Sequence, residues 1–258
     1  MTAEGRATVA VFRPDDGRLA AAVELLESLG VTPVADPMLA IEPTGEEPRD
    51  ADYVVLTSST GVEIVAGERA AAGGPAERWV PAGATLCAVG ESTAAALAER
   101  GYDVDVVPEE FSSAGLLDAL TDRVDGAHVE LARSDRASAT LPDGLEAAGA
   151  EVTETPLYRL TRPAGGGESA ERAAAGDLDG ALFTSSLTVE HFLAAADERG
   201  VREAAVAGLN EAVVGVIADG PAETAREAGI AVDVVPERAD FETMACAVVE
   251  AIVPTYHE

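Results

Sequence analysis

The chain of 258 residues contains no lysine: all 17 of its basic residues are arginine, set against 47 acidic residues for a net charge of −30. Without a basic stripe to replace the counterions of a phosphate backbone, nucleic acid is excluded as a partner. Aromatic residues make up only 4% of the chain while 47% is hydrophobic, so the core has to be built from Val, Leu, Ile and Ala. Long apolar runs are missing too. No stretch approaches the roughly 18 apolar residues that a membrane span requires. Met1-Thr2-Ala3-Glu4-Gly5-Arg6 lacks a cationic region leading into an apolar one, so no signal peptide and a cytoplasmic protein are expected.

Reactive residues are equally scarce. Cys87 and Cys246 sit in apolar surroundings with neither metal-ligand nor redox spacing, and read as small buried hydrophobes. His128, His191 and His257 are isolated, with no zinc-ligand spacing. No Gly-x-Gly-x-x-Gly follows a strand and there is no Walker-type loop or Gly-x-Ser-x-Gly elbow, which excludes dinucleotides, nucleoside triphosphates and elbow-type hydrolysis. Asp15-Asp16 after the first strand resembles a phospho-acceptor pair, but a receiver domain would need a lysine after its last strand.

What is present is charge and alternation. The acids are scattered along the whole chain rather than massed in a tail. That pattern suits a protein of concentrated salt, where dense carboxylates hold a hydrated surface and salt screens their repulsion. Apolar runs at 8–12, 31–34, 53–56, 85–89, 103–107, 127–131, 150–155, 180–183, 213–217 and 231–235 read as strands. Helical spacing fills 19–29, 60–70, 91–100, 113–121, 138–148, 187–198, 221–228 and 240–252. Continuous runs such as Tyr53-Val54-Val55-Leu56 suit strands covered on both faces, so the expected class is α/β with doubly wound parallel sheets.

The chain also repeats itself. Leu56-Thr57-Ser58-Ser59 matches Phe183-Thr184-Ser185-Ser186 at an offset of 127, and Gly101 to Glu109 matches Gly229 to Glu237 at an offset of 128. Arg13-Pro14-Asp15 resembles Arg133-Ser134-Asp135, and Pro37 pairs with Pro156. Asp36 to Pro43 and Thr155 to Gly167 read as a pair of connectors between two lobes. The second carries a proline-fixed corner, places Tyr158 at the mouth of a cleft, and runs into the loosest segment, Arg162 to Gly167.

Parallel sheets bind ligands beyond the carboxyl ends of their strands. Five such turns carry small polar or basic residues: Arg13; Thr57-Ser58-Ser59; Gly90-Glu91-Ser92-Thr93; Arg133-Ser134-Asp135-Arg136; and Thr184-Ser185-Ser186. Each offers backbone N–H groups at a helix start, where anions are favoured, although Ser and Thr there also serve as plain N-caps.

These residues, in this order, resemble the uroporphyrinogen-III synthase family along nearly the whole chain. The resemblance rests on Arg13-Pro14, Pro37-Met38-Leu39-Ala40-Ile41, Leu56 to Val62, Val89-Gly90-Glu91-Ser92-Thr93-Ala94 with Leu97 and Gly101, Pro156-Leu157-Tyr158, and Phe183 to Ser186. It implies two flavodoxin-like lobes joined by a two-stranded connector, 36–43 and 155–167. One lobe would combine 1–37 with 161–258, and the other would be 41–156.

The activity it implies is cofactor-independent: a hydro-lyase that closes linear hydroxymethylbilane to uroporphyrinogen III. The terminal hydroxyl is expelled and ring D inverts through a spirocyclic intermediate, in the synthesis of haem, sirohaem and cobalamin. Tyr158 falls on the family's recurrent tyrosine, near the departing hydroxyl as donor or positioner. Substrate carboxylates would be held by backbone N–H groups of the five turns and of Ala218, helped by Arg13, Arg133 and Arg136. At Ala218 the chain departs from the family's Ile-Gly-x-x-Thr-Ala, with alanine for glycine and Pro221 for threonine. A monomer is expected, with hydroxymethylbilane synthase as upstream donor. The rival reading is a two-lobed binding or regulatory protein for small anions or tetrapyrroles, without turnover.

Overall fold

The computed structural model of the chain describes residues 6–14, 17–71 and 77–252; Asp15, Asp16 and His257 lie outside them. The chain opens with β1 (Thr8–Phe12), α1 (Gly17–Ser28), β2 (Thr32–Ala35) and β3 (Ala40–Pro43). It continues through β4 (Tyr53–Leu56), α2 (Ser59–Val65), β5 (Thr85–Ala88), α3 (Glu91–Glu99), α4 (Ser113–Leu120), β6 (His128–Ser134), α5 (Thr140–Ala147) and β7 (Glu151–Thr161). It ends with α6 (Glu168–Ala175), β8 (Gly180–Phe183), α7 (Ser186–Glu198), α8 (Arg202–Glu211), β9 (Val213–Val216), α9 (Asp219–Glu227) and α10 (Phe241–Ile252). Two compact units result, Met1–Ala40 with Thr161–Glu258, and Ile41–Leu160.

The discontinuous unit holds a sheet of order β2-β1-β8-β9 whose neighbours all pair in parallel. The continuous unit holds β3-β7-β6-β4-β5, parallel from β7 through β5. Alternate residues of a strand enter different cores. Ala10 and Phe12 of β1 pack with Phe183 and Phe192, whereas Val9 and Val11 pack with Leu26, Met244 and Val248. Val54 and Leu56 of β4 join Leu97 and Leu157, whereas Val55 joins Leu116 and Leu131. Both faces of each sheet are therefore covered, which is why these strands read as unbroken apolar runs rather than alternating ones.

The sequence repeat has a structural counterpart. Asp52 leads into β4 and Asp179 leads into β8. The Asp52 carboxylate accepts the His128 N–H at 2.9 Å while its own N–H donates to His128 O; Asp179 does the same with Thr8, at 2.7 Å. The Asp105 carboxylate accepts the Leu86 N–H at 2.8 Å, as the Asp233 carboxylate accepts the Val214 N–H at 2.8 Å. β4 thus corresponds to β8, β5 to β9, β6 to β1 and β7 to β2. Two half-modules alternate along the chain, and each unit contains one of each kind: the first β1-β2 half with the last β8-β9 half, and the β4-β5 half with the β6-β7 half. Two different offsets, 119–120 and 127–128, are the trace of that alternation.

Five expectations need correction. The segments 103–107 and 231–235 are not strands; each contributes one bridge, Cys87 to Val106 and Gly215 to Val234. The Asp105 and Asp233 carboxylates take N–H groups that a longer ladder would have used. Helices α6 and α8 were not expected, because α6 buries only small residues (Ser169, Ala170 and Ala173) and α8 buries a single large one, Leu209, beside Ala205, so neither shows a stripe of large apolar residues. Pro156 makes no corner: β7 runs through it. A register shift at Arg133 and Ser134 absorbs the irregularity, and the Pro156 carbonyl accepts from the Thr44 hydroxyl at 2.7 Å. Nor is 162–167 loose. The buried Asp36 carboxylate accepts the Gly167 and Ser169 N–H groups at 2.7 and 2.8 Å and so caps α6, and Arg162 donates to the Gly166 carbonyl at 2.8 Å. Gly167 has φ 102°, a backbone region that suits glycine. The expected helix 60–70 also stops early, at Val65.

Candidate functional site

In each sheet the register aligns the carboxyl ends of neighbouring strands. Phe12, Phe183 and Val216 stand side by side in the discontinuous unit, so Arg13, Thr184 and the turn at Ala218 emerge together. Leu56, Ala88 and Ala132 stand side by side in the continuous unit, which brings together Thr57, Val89-Gly90 and Arg133.

In the discontinuous unit the Arg13 guanidinium carbon lies 4.4 Å from the centre of the Phe241 ring, a cation–π contact that holds the arginine at the sheet edge. Thr184 donates its hydroxyl to the Phe12 carbonyl at 2.8 Å, tying the turn after β8 to the end of β1. Ser185 caps α7 in a reciprocal capping box with Thr188, and Ser186 opens the helix. Ala218 occupies the N-cap of α9 in extended conformation with no side-chain cap.

The continuous unit carries a pair of hydroxyls in contact. Ser58 is the N-cap of α2: its Oγ accepts the Gly61 N–H at 3.0 Å. The same Oγ lies 3.0 Å from the phenol oxygen of Tyr158. The strand order β7-β6-β4 puts two strand spacings, about 10 Å, between the ends of β7 and β4. Tyr158 therefore reaches over the end of β6 to meet Ser58. The Tyr158 side chain is 7% exposed and packs beside Leu157 in the core that also holds Leu56 and Ala132. Its backbone is fixed as well, because the Asp135 N–H donates to the Tyr158 carbonyl at 3.1 Å. A phenol set in this way can exchange a proton with a ligand at the strand ends while Ser58 holds its orientation.

The other expected residues of this unit divide into two groups. Thr57 and Ser134 are half-buried at the strand ends, and Ser59, Ser92 and Arg136 are exposed. Gly90 begins α3 without a side-chain cap, and Phe111 lies against it closely enough that a Cβ would come within 3.1 Å. Thr93 and Arg133, by contrast, face inward, at 2% and 5% exposure. The Arg133 Nε donates to Glu154 at 2.7 Å, its Nη2 forms an ion pair with the same carboxylate, and its Nη1 donates to the Ser138 carbonyl at 2.6 Å. Glu91 and Asp219 stand in the first turns of α3 and α9, so each of these uncapped helix starts already carries one negative charge.

A family model described as uroporphyrinogen-III synthase HemD matches residues 20–246. A protein of Methanothermobacter thermautotrophicus, named provisionally as a uroporphyrinogen-III synthase, is 34% identical over 93% of this chain and 96% of its own length. A uroporphyrinogen-III synthase of Synechococcus elongatus is 30% identical over 55% of this chain and 54% of its own. Among solved structures, a mutant uroporphyrinogen III synthase of Thermus thermophilus aligns with TM-score 0.64 at 22% identity, covering 95% of this chain and 99% of that one. A Helicobacter pylori uroporphyrinogen-III synthetase aligns with TM-score 0.58 at 12% identity, covering 95% and 99%. At those identities the structures speak for the fold.

Proposed function

Because the chain belongs to the uroporphyrinogen-III synthase family of lyases in tetrapyrrole biosynthesis, we propose that it converts linear hydroxymethylbilane to uroporphyrinogen III, with loss of water and inversion of ring D. The observation that carries the residue-level reading is the Ser58–Tyr158 hydroxyl pair at the carboxyl ends of β4 and β7. The Ser58 Oγ already accepts from the Gly61 N–H, so its own proton is free to be donated to the Tyr158 oxygen. In that arrangement the phenol proton points away from Ser58, towards the departing hydroxyl. As the carbon–oxygen bond breaks, its electron pair stays on oxygen and the Tyr158 proton completes a water molecule. The charge growing on the phenol oxygen is met by the Ser58 O–H. The proton released when the last pyrrole regains aromaticity, after the ring closes, restores the phenol.

The remaining work is positional. Both units read as flavodoxin-like from their strand orders, and the turns beyond their strand ends present backbone N–H groups to the substrate carboxylates. Thr57, Gly90, Ser134, Ser185 and Ala218 are the exits of those turns. The enzyme acts as a cytoplasmic monomer and receives its substrate from hydroxymethylbilane synthase; among the described residues, no helix is long and apolar enough to cross a membrane.

The net charge of −30 opposes encounter with a polycarboxylate. Near molar salt the Debye length is about 3 Å, which removes most of that repulsion. Activity and thermal stability should both rise with potassium chloride; full activity of a stable fold in dilute buffer would refute the halophilic reading. Function itself is tested by adding fresh hydroxymethylbilane to the protein in molar potassium chloride, oxidising the product and separating the uroporphyrin isomers. Spontaneous closure gives type I. A dominant type III product is expected, and type I alone from folded protein would leave the non-catalytic binder.

A further inference from the structure

The end of β6, the turn after it and the end of β7 carry one arginine each, Arg133, Arg136 and Arg159, and the structure treats them differently. Arg133 is buried, and its guanidinium is occupied by Glu154 and the Ser138 carbonyl. Recruiting it to a ligand would break an ion pair and a charge-assisted hydrogen bond. Arg136 and Arg159 are exposed, and among the described residues neither has a hydrogen-bond or ion-pair partner. In a chain with 47 acidic residues, two exposed arginines on adjoining strand ends that form no ion pair stand out, the more so as the Asp135 carboxylate beside them is taken by the Leu160 N–H.

Their backbones are fixed relative to Tyr158. The Asp135 N–H donates to the Tyr158 carbonyl at 3.1 Å, and the Leu160 N–H donates to the Asp135 carboxylate at 3.0 Å. Residue 135 therefore grips the chain on both sides of Arg159 and holds Arg136 next to it. Strand alternation sends Arg159 to the face opposite Tyr158. The turn bearing Arg136 departs towards the same face, because α5, which follows it, packs Leu141 and Leu145 against Leu131 there. Asp135 fixes the backbone on both sides of Arg159 while the forks of both arginines remain open, a condition under which arginine closes on a carboxylate in bidentate fashion.

We propose that Arg159, paired with Arg136, binds a substrate carboxylate remote from the reacting carbon and so registers the tetrapyrrole on Tyr158, a task for which the resemblance named Arg133 and Arg136 but not Arg159. The inference rests on the reading that the substrate is hydroxymethylbilane, and it makes Arg159 a positioning residue. Its mark is therefore on KM rather than on kcat.

The test compares the wild type with Arg159→Gln, Arg159→Lys and the charge control Arg49→Gln, an exposed arginine at another part of the unit. Steady-state kinetics with hydroxymethylbilane are measured in molar potassium chloride, with isomer analysis and a thermal melt of each variant. Arg159→Gln should raise KM about tenfold, the size of a lost charge-assisted pair, with kcat within about threefold. Arg159→Lys should recover part of that loss, since charge remains but the fork does not. Arg49→Gln, with the same net charge as Arg159→Gln, should leave KM unchanged. If the wild type gives type III and Arg159→Gln keeps the wild-type KM, this proposal alone falls. An equal KM rise in Arg49→Gln would overturn it as a general charge effect. A wild type that gives only type I removes the parent reading together with this one.

Discussion

Removing the phenol of Tyr158 tests the hydroxyl pair directly. Tyr158→Phe deletes one oxygen whose structural partner, Ser58, keeps its second contact with the Gly61 N–H. The fold should lose no more than the net worth of one hydrogen bond, about 1 kcal/mol. Turnover should fall far more. Proton transfer by a positioned side chain contributes roughly 10²–10⁴-fold, so a drop of at least about 100-fold, near 2.7 kcal/mol of barrier, is expected. Ser58→Ala acts at one remove. It strips the N-cap of α2, costing about 1 kcal/mol of stability, and frees the phenol to rotate, costing about tenfold in turnover.

Because Ser58 works through Tyr158, the two losses must not add. The double variant should turn over no more slowly than Tyr158→Phe alone. The assay is isomer-resolved product formation in molar potassium chloride, with thermal melts to confirm folding. Turnover of Tyr158→Phe within about threefold of wild type would reduce the tyrosine to a packing residue. A double variant slower than Tyr158→Phe by the full Ser58→Ala factor would show Ser58 acting on the substrate by itself.

Asp36→Ala should destabilise the protein by about 2–4 kcal/mol, since it uncaps α6 and leaves the Gly167 and Ser169 N–H groups buried without their acceptor; an unchanged melting temperature would refute that role. Gly208→Ala would place a methyl carbon 1.8 Å from the Ala173 carbonyl oxygen, forcing α6 and α8 apart at about 1–3 kcal/mol. Gly220→Ala, with nothing within 4 Å of the added carbon, should be neutral or slightly stabilising, and equal melting temperatures for the two variants would contradict the packing. Burial pushes the Cys87 thiol up to about 12, so at pH 8 it carries almost no thiolate. Cys246, expected to be buried, is half-buried, and partial burial with Glu242, Glu250 and Asp240 nearby raises its thiol as well, so alkylation followed by mass spectrometry should mark it slowly in the native protein and Cys87 only after unfolding; native labelling of Cys87 as fast as Cys246 would refute it.

Much of the fold was legible because its signals are local. Runs such as Thr8 to Phe12 and Tyr53 to Leu56 announce strands through composition, and Ser58, Ser112 and Ser185 announce helix starts through capping chemistry. Gly101 and Gly229 end α3 and α9 with φ 74° and 84°, and the Tyr102 and Ile230 N–H groups reach back to the Leu97 and Ala225 carbonyls. The glycine in both copies was visible; the reason for it is a helix end. Helices α6 and α8 were missed because alanine carries helix propensity without marking a face. Their pairing depends on Gly208 meeting the Ala173 backbone, a contact that no local pattern encodes.

The site divides in the same way. The strand-end turns were legible from neighbours a few residues apart, the repeated half-modules from matches 119 to 128 positions apart, and Tyr158 from the resemblance at Pro156-Leu157-Tyr158. Which half-modules share a sheet, and that Tyr158 crosses the end of β6 to a serine 100 positions earlier, emerged only with the folded chain. The same holds for Arg133, taken by Glu154 while Arg159 stands open. Those outcomes depend on strand order, which sets what each side chain can reach once the sheet has formed. Distance along the chain says nothing about it.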